Sequence, residues 1–541
     1  MPLLGPYLFE LLYQKGAKHA FGIPGDFALT LYDALAKSPI QPVGVTHEPC
    51  AGFAADVYAR LTGLGLAVVT YSVGGINLAN ATAGAYAEKS PLFIVSGGPG
   101  VQERKERKEL HHKIKTYDTQ LRIFKEVTAY AAVLDDPKTA PYHIEQALSI
   151  CLSQKRPVYL EIPRDQVYAE IEPIVLPVLE ESLESQAFKE ALAESITLLK
   201  EAQKPAILVD IEVMRFGLQN EVVTLAEALN APVFCTLLGK SVFPEGHPNF
   251  GGVYSGHVGN PLAEEIIASS DGLLILGMIP SDINLGLYTA SWNPSTCIDA
   301  SFDTTRIKHH TYSGIDFVSY VKALSRCNFG PKKKAPAFVR AQKDIPIDDS
   351  QKISMRSLIA ELNSFLTENM ILLGDAGDAL FAMADISSGK NTTIVHPSFY
   401  SSMGFAIPGS LGALLAHPQH KVVTLVGDGA FQMTGLELIS IQKLGLRPIV
   451  IVLNNGAYAS LASMGHGQSE FIKIPQLDYV KLAQAMGLQG RKVTTVGEFK
   501  QGLKEGLTSD KCLVLEVILD KNDVSPMLKK IGALFASTLK G

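Results

Sequence analysis

The chain has 541 residues, of which 47% are hydrophobic and 19% charged, and its formal net charge is −6 at pH 7. This composition is typical of a globular protein with several domains and excludes a disordered or fibrous chain. The sequence contains no long basic cluster, so a nucleic-acid partner, which requires concentrated Lys and Arg, is not expected. A small-molecule substrate is the better expectation.

Six cysteines are scattered along the chain without a CxxC pair, so the sequence predicts neither a zinc site nor a disulfide framework. This favours a reducing compartment. The N-terminal segment lacks the basic start and apolar core of a signal peptide, and the apolar runs are far shorter than the ~20 residues that a membrane span needs. We therefore expect a cytoplasmic protein without a membrane partner.

In chain order, the short apolar runs begin with 66–70 and 158–162, continue with 206–209 and 273–277, and end with 422–426 and 448–453. They rarely alternate with polar residues, and stretches with helical spacing separate them. This is the pattern of parallel sheets covered by helices on both faces, so the predicted fold class is α/β.

Two charged, proline-containing stretches at 172–186 and 330–343 lack periodicity and are interpreted as linkers. They predict three domains, each with a parallel sheet, at 1–170, 187–330 and 350–541. In the first and third domains a buried strand runs directly into a glycine-containing turn, and ligands sit at such strand ends in open α/β sheets.

The third domain contains a predicted strand-helix-strand unit with its helix at 436–444. Asp428 follows the first strand and Asn455 follows the second. Because the carboxyl ends of consecutive parallel strands meet at one edge, two oxygen ligands should converge there. Magnesium prefers such oxygens and commonly shares its shell with a phosphate, which the glycines at 427 and 429 would let the backbone approach. Either fragment alone is more typical of a turn or a helix cap; the pair at this spacing favours a magnesium and phosphate site.

Gly427-Asp-Gly429 is separated from Asn454-Asn455 by residues 430–453, and this arrangement resembles the signature of thiamine-diphosphate enzymes. The resemblance extends over essentially the whole chain. It is nearest to the pyruvate, indolepyruvate and phenylpyruvate decarboxylase group, and within it to the phenylpyruvate type. It implies decarboxylation of 2-oxo acids to aldehydes with thiamine diphosphate and Mg²⁺, and cofactor binding by the first and third domains. It also implies that the metal is bound by Asp428, Asn455 and the carbonyl of Ala457, and the cofactor by Asp428, Gly429, Ala430 and Asn455.

Two segments of the first domain, 21–27 and 46–49, are similar to the cofactor-side motifs of this group. By resemblance, Glu48 activates the cofactor. A carboxylic acid bonded to the aminopyrimidine ring shifts it to the imino tautomer, whose nitrogen can remove the thiazolium proton. Taken alone, Glu48 would more commonly be a solvated carboxylate in a turn.

Residues 110–113 are similar to the tandem histidines of the group. The resemblance implies that His111 and His112, together with Asp26, handle protons around the reacting substrate. Two adjacent histidines on a loop are otherwise commonly solvated, and two alone make a poor metal site. The charged run 103–109 just before them is expected to be a solvated helix or a flap.

Further cofactor contacts are implied in the third domain. Met403 falls where the family places a bulky apolar side chain beneath the cofactor, although Met is also a common core residue. The carbonyl of Ser401 and the side chain of Asp378 would lie at the aminopyrimidine and diphosphate regions. Pyruvate decarboxylases carry a glutamate six residues after the metal-binding Asn, where this chain has Leu461. Phenylpyruvate-type members share this leucine and carry an acidic residue in the middle domain, matched by Asp282, which otherwise suits a simple turn.

Leu380 and Ser460 stand where pyruvate decarboxylases narrow the substrate pocket with Trp and Ile. A larger pocket predicts a preference for aromatic or long and branched aliphatic 2-oxo acids. The alternatives are a thiamine-diphosphate carboligase or lyase, against which the histidine pair argues, and a non-catalytic thiamine-diphosphate-binding scaffold. The resemblance further implies a homotetramer, a dimer of dimers, whose sites lie between the first domain of one subunit and the third domain of another.

Overall fold

The computed structural model describes residues 1–175, 185–331, 347–388 and 392–538. They form three sheets, which follow one another along the chain. Most of the predicted linker 330–343 and part of 172–186 lie outside the described residues. Within the described ranges, no helix is both long and apolar enough to cross a membrane.

The first sheet has six strands, and its parallel pairing and buried apolar strands follow the predicted pattern. The strands are β1 (His19–Gly22), β2 (Gln41–Gly44), β3 (Gly65–Val69), β4 (Leu92–Gly98), β5 (Tyr130–Val133) and β6 (Val158–Pro163). All are parallel, in the order β2-β1-β3-β4-β6-β5. The accompanying helices are α1 (Leu4–Gln14), α2 (Leu29–Ala36), α3 (Glu48–Thr62), α4 (Val73–Ala87), α5 (Val101–Lys105), α6 (Thr119–Val127) and α7 (Ala140–Gln154).

The middle sheet has seven strands and an antiparallel edge. Its strands are β7 (Pro205–Val209), β8 (Val233–Cys235), β9 (Phe250–Val253), β10 (Gly272–Leu276), β11 (Cys297–Ala300), β12 (Thr305–Ile307) and β13 (His310–Tyr312). The order is β13-β12-β11-β10-β7-β8-β9, and only the β11–β12 and β12–β13 pairs of this sheet are antiparallel. Its helices are α8 (Gln186–Glu201), α9 (Ile211–Arg215), α10 (Gln219–Leu229), α11 (Pro261–Ala268) and α12 (Phe317–Ser325).

The third sheet is again six-stranded and parallel. Its strands are β14 (Met370–Gly374), β15 (Thr393–Val395), β16 (Lys421–Gly427), β17 (Ile449–Asn454), β18 (Gln489–Val493) and β19 (Leu513–Ile518), in the order β15-β14-β16-β17-β19-β18. Its helices are α13 (Met355–Phe365), α14 (Asp378–Ala382), α15 (Ala406–Ala416), α16 (Asp428–Thr434), α17 (Leu438–Lys443), α18 (Ala459–Leu461), α19 (Tyr479–Ala485), α20 (Val496–Thr508) and α21 (Pro526–Thr538).

Helices α3 and α15 join the first and third sheets into one packed unit. Ala54 of α3 and Leu411 of α15 belong to the same buried core, and the rings of Phe53 and Phe405 meet edge to face at 5.8 Å. The helices approach closely because residue 412 is glycine. A Cβ atom on Gly412 would lie 2.0 Å from the Ala54 carbonyl oxygen.

Replacing Gly412 with alanine should therefore destabilise the protein. The added methyl group meets backbone, which cannot rotate away, so the free energy of unfolding should fall by about 1–3 kcal/mol. The matched control is Gly44→Ala, because a Cβ on Gly44 meets no atom within 4 Å; we expect it to change stability by no more than about 0.5 kcal/mol. Urea unfolding of both variants measures this, and equal effects would contradict the packing described for α3 and α15.

Candidate active site

A cavity of about 260 Å³ opens at the carboxyl edge of the third sheet. Parallel pairing sets its position, because Gly427 at the end of β16 pairs with Leu453 near the end of β17. Asp428 and Asn455 consequently leave the sheet at the same edge, and both line the cavity. Other cavity-lining residues that were singled out from the sequence are Asp378, Leu380, Ser401, Met403, Gly429, Ala430, Ala457 and Ser460.

Asp428 is the first residue of α16, so helical structure begins directly after β16 and earlier than the predicted 436–444. Its carboxylate is 2% exposed and accepts hydrogen bonds from the amides of Gly456 at 2.7 Å and Gly429 at 2.9 Å. Burial raises the pKa of Asp428 to about 6, although these hydrogen bonds oppose the shift. A divalent cation would compensate this buried charge, so the site fits magnesium.

The two consecutive asparagines have different surroundings. Asn454 donates its side-chain amide to the buried carboxylate of Glu516 at 2.8 Å, whereas Asn455 faces the cavity. The Asn455 side-chain oxygen accepts the Ala457 amide at 3.0 Å. Asn455 and the Ala457 peptide therefore lie together at the cavity wall, where the resemblance places two of the three metal ligands.

The glycines that flank Asp428 serve different purposes. A Cβ on Gly427 would meet no atom within 4 Å, whereas one on Gly429 would lie 2.6 Å from the ring of Tyr458. Gly429 is thus needed for close packing of Tyr458, in addition to any approach of a phosphate. Both glycines line the cavity, which leaves backbone rather than bulky side chains facing the space where a diphosphate would fit.

A buried carboxylate holds the loop that carries Ser401 and Met403. Asp375 follows β14, is fully buried, and accepts the amides of Gly404 at 2.9 Å and Ala406 at 2.7 Å. Burial raises the pKa of Asp375 to about 6. Ser401 has the left-handed φ of 54°. Asp375 thus fixes the loop immediately after Met403, at the cavity wall.

Glu88 of the first domain holds the same loop from the other side. Its carboxylate is fully buried and accepts the amides of Phe399 at 2.8 Å and Tyr400 at 3.0 Å. It also pairs with Arg60 at 2.8 Å. Arg215 of the middle domain donates to the Glu88 carbonyl at 3.3 Å. All three predicted domains therefore meet beside the loop that forms one wall of the cavity.

The carboxylate of Asp378 has a structural partner. It accepts the amide of Ser525 at 3.1 Å and its hydroxyl at 2.5 Å, and burial raises its pKa to about 6. Asp378 lines the cavity, and its contact with the diphosphate remains a prediction.

The first domain brings together Asp26 and the histidine pair. Asp26 Oδ2 lies 2.6 Å from His111 Nε2, and the rings of His111 and His112 are 4.6 Å apart. Both rings pack against Phe27, at 4.9 and 5.9 Å. The predicted proton-handling residues thus form one cluster.

Glu48 is the first residue of α3, and its side chain is 12% exposed. It accepts the side-chain amide of Asn77 at 3.2 Å. The turn before it is fixed from the third domain, because the buried carboxylate of Glu437 accepts the amide of Thr46 at 3.0 Å and its hydroxyl at 2.7 Å. Glu437 thereby orients the start of α3 and with it Glu48.

Within one chain the two groups of residues do not line a common cavity. The cavity is lined by residues of the third domain, and Asp26, Glu48, His111 and His112 are not among its lining residues. Asp282 is exposed, accepts the amide of Ile283 at 2.9 Å, and lies outside the cavity lining as well. The residues predicted to form one site therefore fall into two groups, or predicted half-sites, one in the first domain and one in the third.

Comparison with known proteins shows the family to which these domains belong. Thiamine pyrophosphate enzyme models match the chain in three regions: the N-terminal TPP binding domain at 4–121, the central domain at 192–326 and the C-terminal TPP binding domain at 375–517. The indole-3-pyruvate decarboxylase of Azospirillum brasilense is 35% identical over 97% of each chain. The chain belongs to the thiamine-diphosphate-dependent 2-oxo acid decarboxylases. The predicted family, α/β fold class, carboxy-lyase activity and thiamine diphosphate cofactor are confirmed.

Two further proteins are similar to this decarboxylase over nearly their whole length. Pyruvate decarboxylase isozyme 1 of Saccharomyces cerevisiae is 28% identical, over 99% of this chain and 98% of that one. The solved structure of a thiamine diphosphate-dependent 4-hydroxybenzoylformate decarboxylase from Rhodococcus jostii RHA1 covers 96% of this chain and 99% of that one, with a TM-score of 0.80 and 22% identity. The latter likeness shows that the fold is shared.

Several residues of this decarboxylase that support the site were missed from the sequence. Three buried acids belong to no motif: Asp375, Glu88 and Glu437. Each accepts at least one main-chain amide of a residue far along the chain, and such contacts leave no pattern in the sequence. The charged run 103–109 was expected to be solvated, which is wrong for Arg104. Its side chain is 13% exposed and pairs with the fully buried Glu161, so α5 is anchored to the end of the first sheet.

An Asp375→Asn variant should lose stability and bind thiamine diphosphate more weakly. An amide has one acceptor oxygen where the carboxylate has two, so one buried main-chain N–H is left unpaired, at a cost of about 1–3 kcal/mol. Urea unfolding and a titration of the apoprotein with thiamine diphosphate measure both effects. The exposed Asp510→Asn is the control. Unchanged cofactor affinity in Asp375→Asn would show that the Ser401–Met403 loop does not depend on this carboxylate.

Proposed function

We propose that this decarboxylase uses Mg²⁺ and thiamine diphosphate to convert aromatic or long and branched aliphatic 2-oxo acids to aldehydes, in preference to pyruvate. The observation that carries the substrate preference is the cavity wall. The apolar side chains of Leu380, Met403 and Ile474 line it, together with the small side chain of Ser460. An apolar wall with a small residue favours a substrate with a large apolar group. The relative named indole-3-pyruvate decarboxylase supports an aromatic substrate.

Each half-site supplies part of the proposed chemistry. Thiamine diphosphate supplies the electron sink for loss of carbon dioxide. Asp428, Asn455 and the carbonyl of Ala457 would hold the metal, and the backbone at Gly429 and Ala430 would face the diphosphate. These assignments are supported by the position of all five residues at the same cavity.

The first-domain residues would move protons. Glu48, which accepts the side-chain amide of Asn77 and follows the turn that Glu437 holds at Thr46, would hold the proton exchanged with the aminopyrimidine. Asp26 and His111 share a hydrogen bond of 2.6 Å, so a proton can pass between them and be delivered to the substrate carbon after carbon dioxide has left. His112, whose ring lies 4.6 Å from that of His111, would take part in the same proton transfers. Asp282 would support the protonation of the substrate in the assembled enzyme, in place of the glutamate that is absent at Leu461.

A homotetramer of two dimers, with the first domain of one subunit completing the cavity of another, is part of the same proposal. One support is that Asp26, Glu48, His111 and His112 do not line the cavity of their own chain. Another is a row of exposed apolar side chains that follows Asp428 along the chain: Met433, Leu436 and Ile439 are 54%, 59% and 45% exposed. Exposed apolar patches of this kind mark protein interfaces.

The substrate preference predicts that kcat/KM for phenylpyruvate exceeds that for pyruvate by about tenfold to a hundredfold. Burying a phenyl ring in place of a hydrogen contributes about 1.5–3 kcal/mol. Steady-state kinetics with both substrates measures the ratio. A higher kcat/KM for pyruvate would contradict the proposed preference and leave the decarboxylase activity itself intact.

The role of Ser460 predicts the effect of narrowing the cavity. Ser460→Ile should lower kcat/KM for phenylpyruvate by about tenfold, because the ring can no longer take its reactive position, and change the value for pyruvate by less than about twofold. Ser469→Ile, outside the cavity lining, is the matched control. Equal losses for both substrates in Ser460→Ile would argue that this residue does not shape the pocket.

The assembly predicts complementation between two inactive variants. Glu48→Gln and Asp428→Asn should each be inactive as pure proteins, whereas coexpressed chains should form mixed dimers in which one of two sites is intact. Random pairing predicts about a quarter of wild-type activity. The test is decarboxylation by the unselected coexpressed mixture, and copurification of two different tags shows that mixed dimers have formed. No recovered activity in a mixture that contains mixed dimers would mean that each site is built within one chain.

A further inference from the structure

Asp26, His111 and His112 have the composition and spacing of a metal site. One potential ligand atom from each of the three lies within 4.8 Å of the others. The nearest pair, Asp26 Oδ2 and His111 Nε2, is at hydrogen-bond distance, 2.6 Å. Two imidazoles and one carboxylate form a ligand set that suits Zn²⁺ and other first-row transition metals better than Mg²⁺ or Ca²⁺.

The backbone conformation brings consecutive histidines to the same carboxylate. In extended chain, neighbouring side chains point in opposite directions. His112 instead adopts a left-handed conformation with φ of 66°, and its ring lies 4.6 Å from that of His111. Phe27 contacts both rings and supports their orientation. The cluster is therefore a folded arrangement rather than two side chains that meet by chance in solvent.

The neighbouring Lys113 does not compete with the histidines for the carboxylate of Asp26. Lys113, the next residue, pairs with Glu109 at 2.6 Å, and among the described residues the ion pair formed by Asp26 is the one with His111. The side chains of Asp26 and His111 are 41% and 61% exposed. An ion bound here would thus retain coordination positions that no other described group of the same chain fills, as in catalytic zinc sites.

We propose that Asp26, His111 and His112 bind one Zn²⁺ ion, separately from the magnesium site at Asp428, and that the bound ion inhibits decarboxylation. Zn²⁺ displaces the proton shared by Asp26 and His111, and that proton is released to solvent. The inhibitory part rests on the proposed function, because it requires that these side chains handle protons in the reaction. The binding part requires the geometry alone.

The chain offers a matched control. The rings of His417 and His420 lie 4.9 Å apart, close to the spacing of His111 and His112, but within the described part of the chain they belong to no group of three potential ligands. A pair of imidazoles without a carboxylate makes a poorer site. His420→Gln should therefore leave zinc binding unchanged.

Binding is tested on the folded protein with thiamine diphosphate and excess Mg²⁺. Co²⁺, which reports its coordination in the visible spectrum, and Zn²⁺, which displaces it, are the probes. Asp26→Asn, His111→Gln and His112→Gln should each raise the Zn²⁺ dissociation constant about tenfold or more. The His420→Gln and Asp428→Asn proteins should retain wild-type affinity. Equal affinity in all five variants would overturn the site, and loss only in Asp428→Asn would assign the ion to the magnesium site instead.

Inhibition is measured on the same wild-type holoenzyme. Activity should fall with Zn²⁺ in parallel with occupancy of the site and return with a chelator that selects zinc over magnesium. Full activity at a zinc-saturated site would overturn the inhibitory role. Failure of the proposed function has a different signature: no decarboxylation in zinc-free buffer, with cobalt binding that still depends on Asp26 and His111.

Discussion

The parallel pairing of β16 with β17 is the constraint on which the cofactor half of the site depends. Pairing of Gly427 with Leu453 sends the chain out of both strands at one edge, so Asp428 and Asn455 must emerge side by side. The hydrogen bond from the Gly456 amide to the Asp428 carboxylate, 2.7 Å long, is the direct result. Antiparallel pairing would have placed the two residues at opposite edges, and no shared metal site could form.

Buried carboxylates connect this half to the rest of the chain. Glu437 reaches from the third domain to Thr46, two residues before Glu48, and Glu88 reaches from the first domain to the loop before Ser401. Burying a carboxylate is costly unless hydrogen bonds and opposite charges compensate it, and each of these acids accepts main-chain amides. The loops that carry the predicted site residues are thereby fixed to neighbouring sheets instead of depending on their own short-range structure.

The fold class and the Asp428 to Asn455 unit could be predicted because both are local patterns. Continuous apolar runs indicate buried parallel strands. Asp428 and Asn455 follow two successive strands, so the pair can be recognised within one short stretch of sequence. Glu88 could not be found in this way, since its partner Phe399 is 311 residues away and a lone glutamate carries no signal. The charged run around Arg104 led to a prediction of solvation. The pattern of that run carries no information about Glu161, the buried partner of Arg104 in a distant strand. The role of Asp282 was predicted from the resemblance alone. In the structure its exposed carboxylate accepts the amide of Ile283, as in a simple turn.

If the cavity at Asp428 and Asn455 holds thiamine diphosphate and Mg²⁺, decarboxylation of 2-oxo acids must depend on both. The most direct test measures carbon dioxide release by the apoprotein across a panel of 2-oxo acids, with each cofactor added alone and both together. We expect turnover only when both are present, and none in Asp428→Asn at the same concentrations. Turnover without thiamine diphosphate, or turnover in Asp428→Asn equal to wild type, would contradict it.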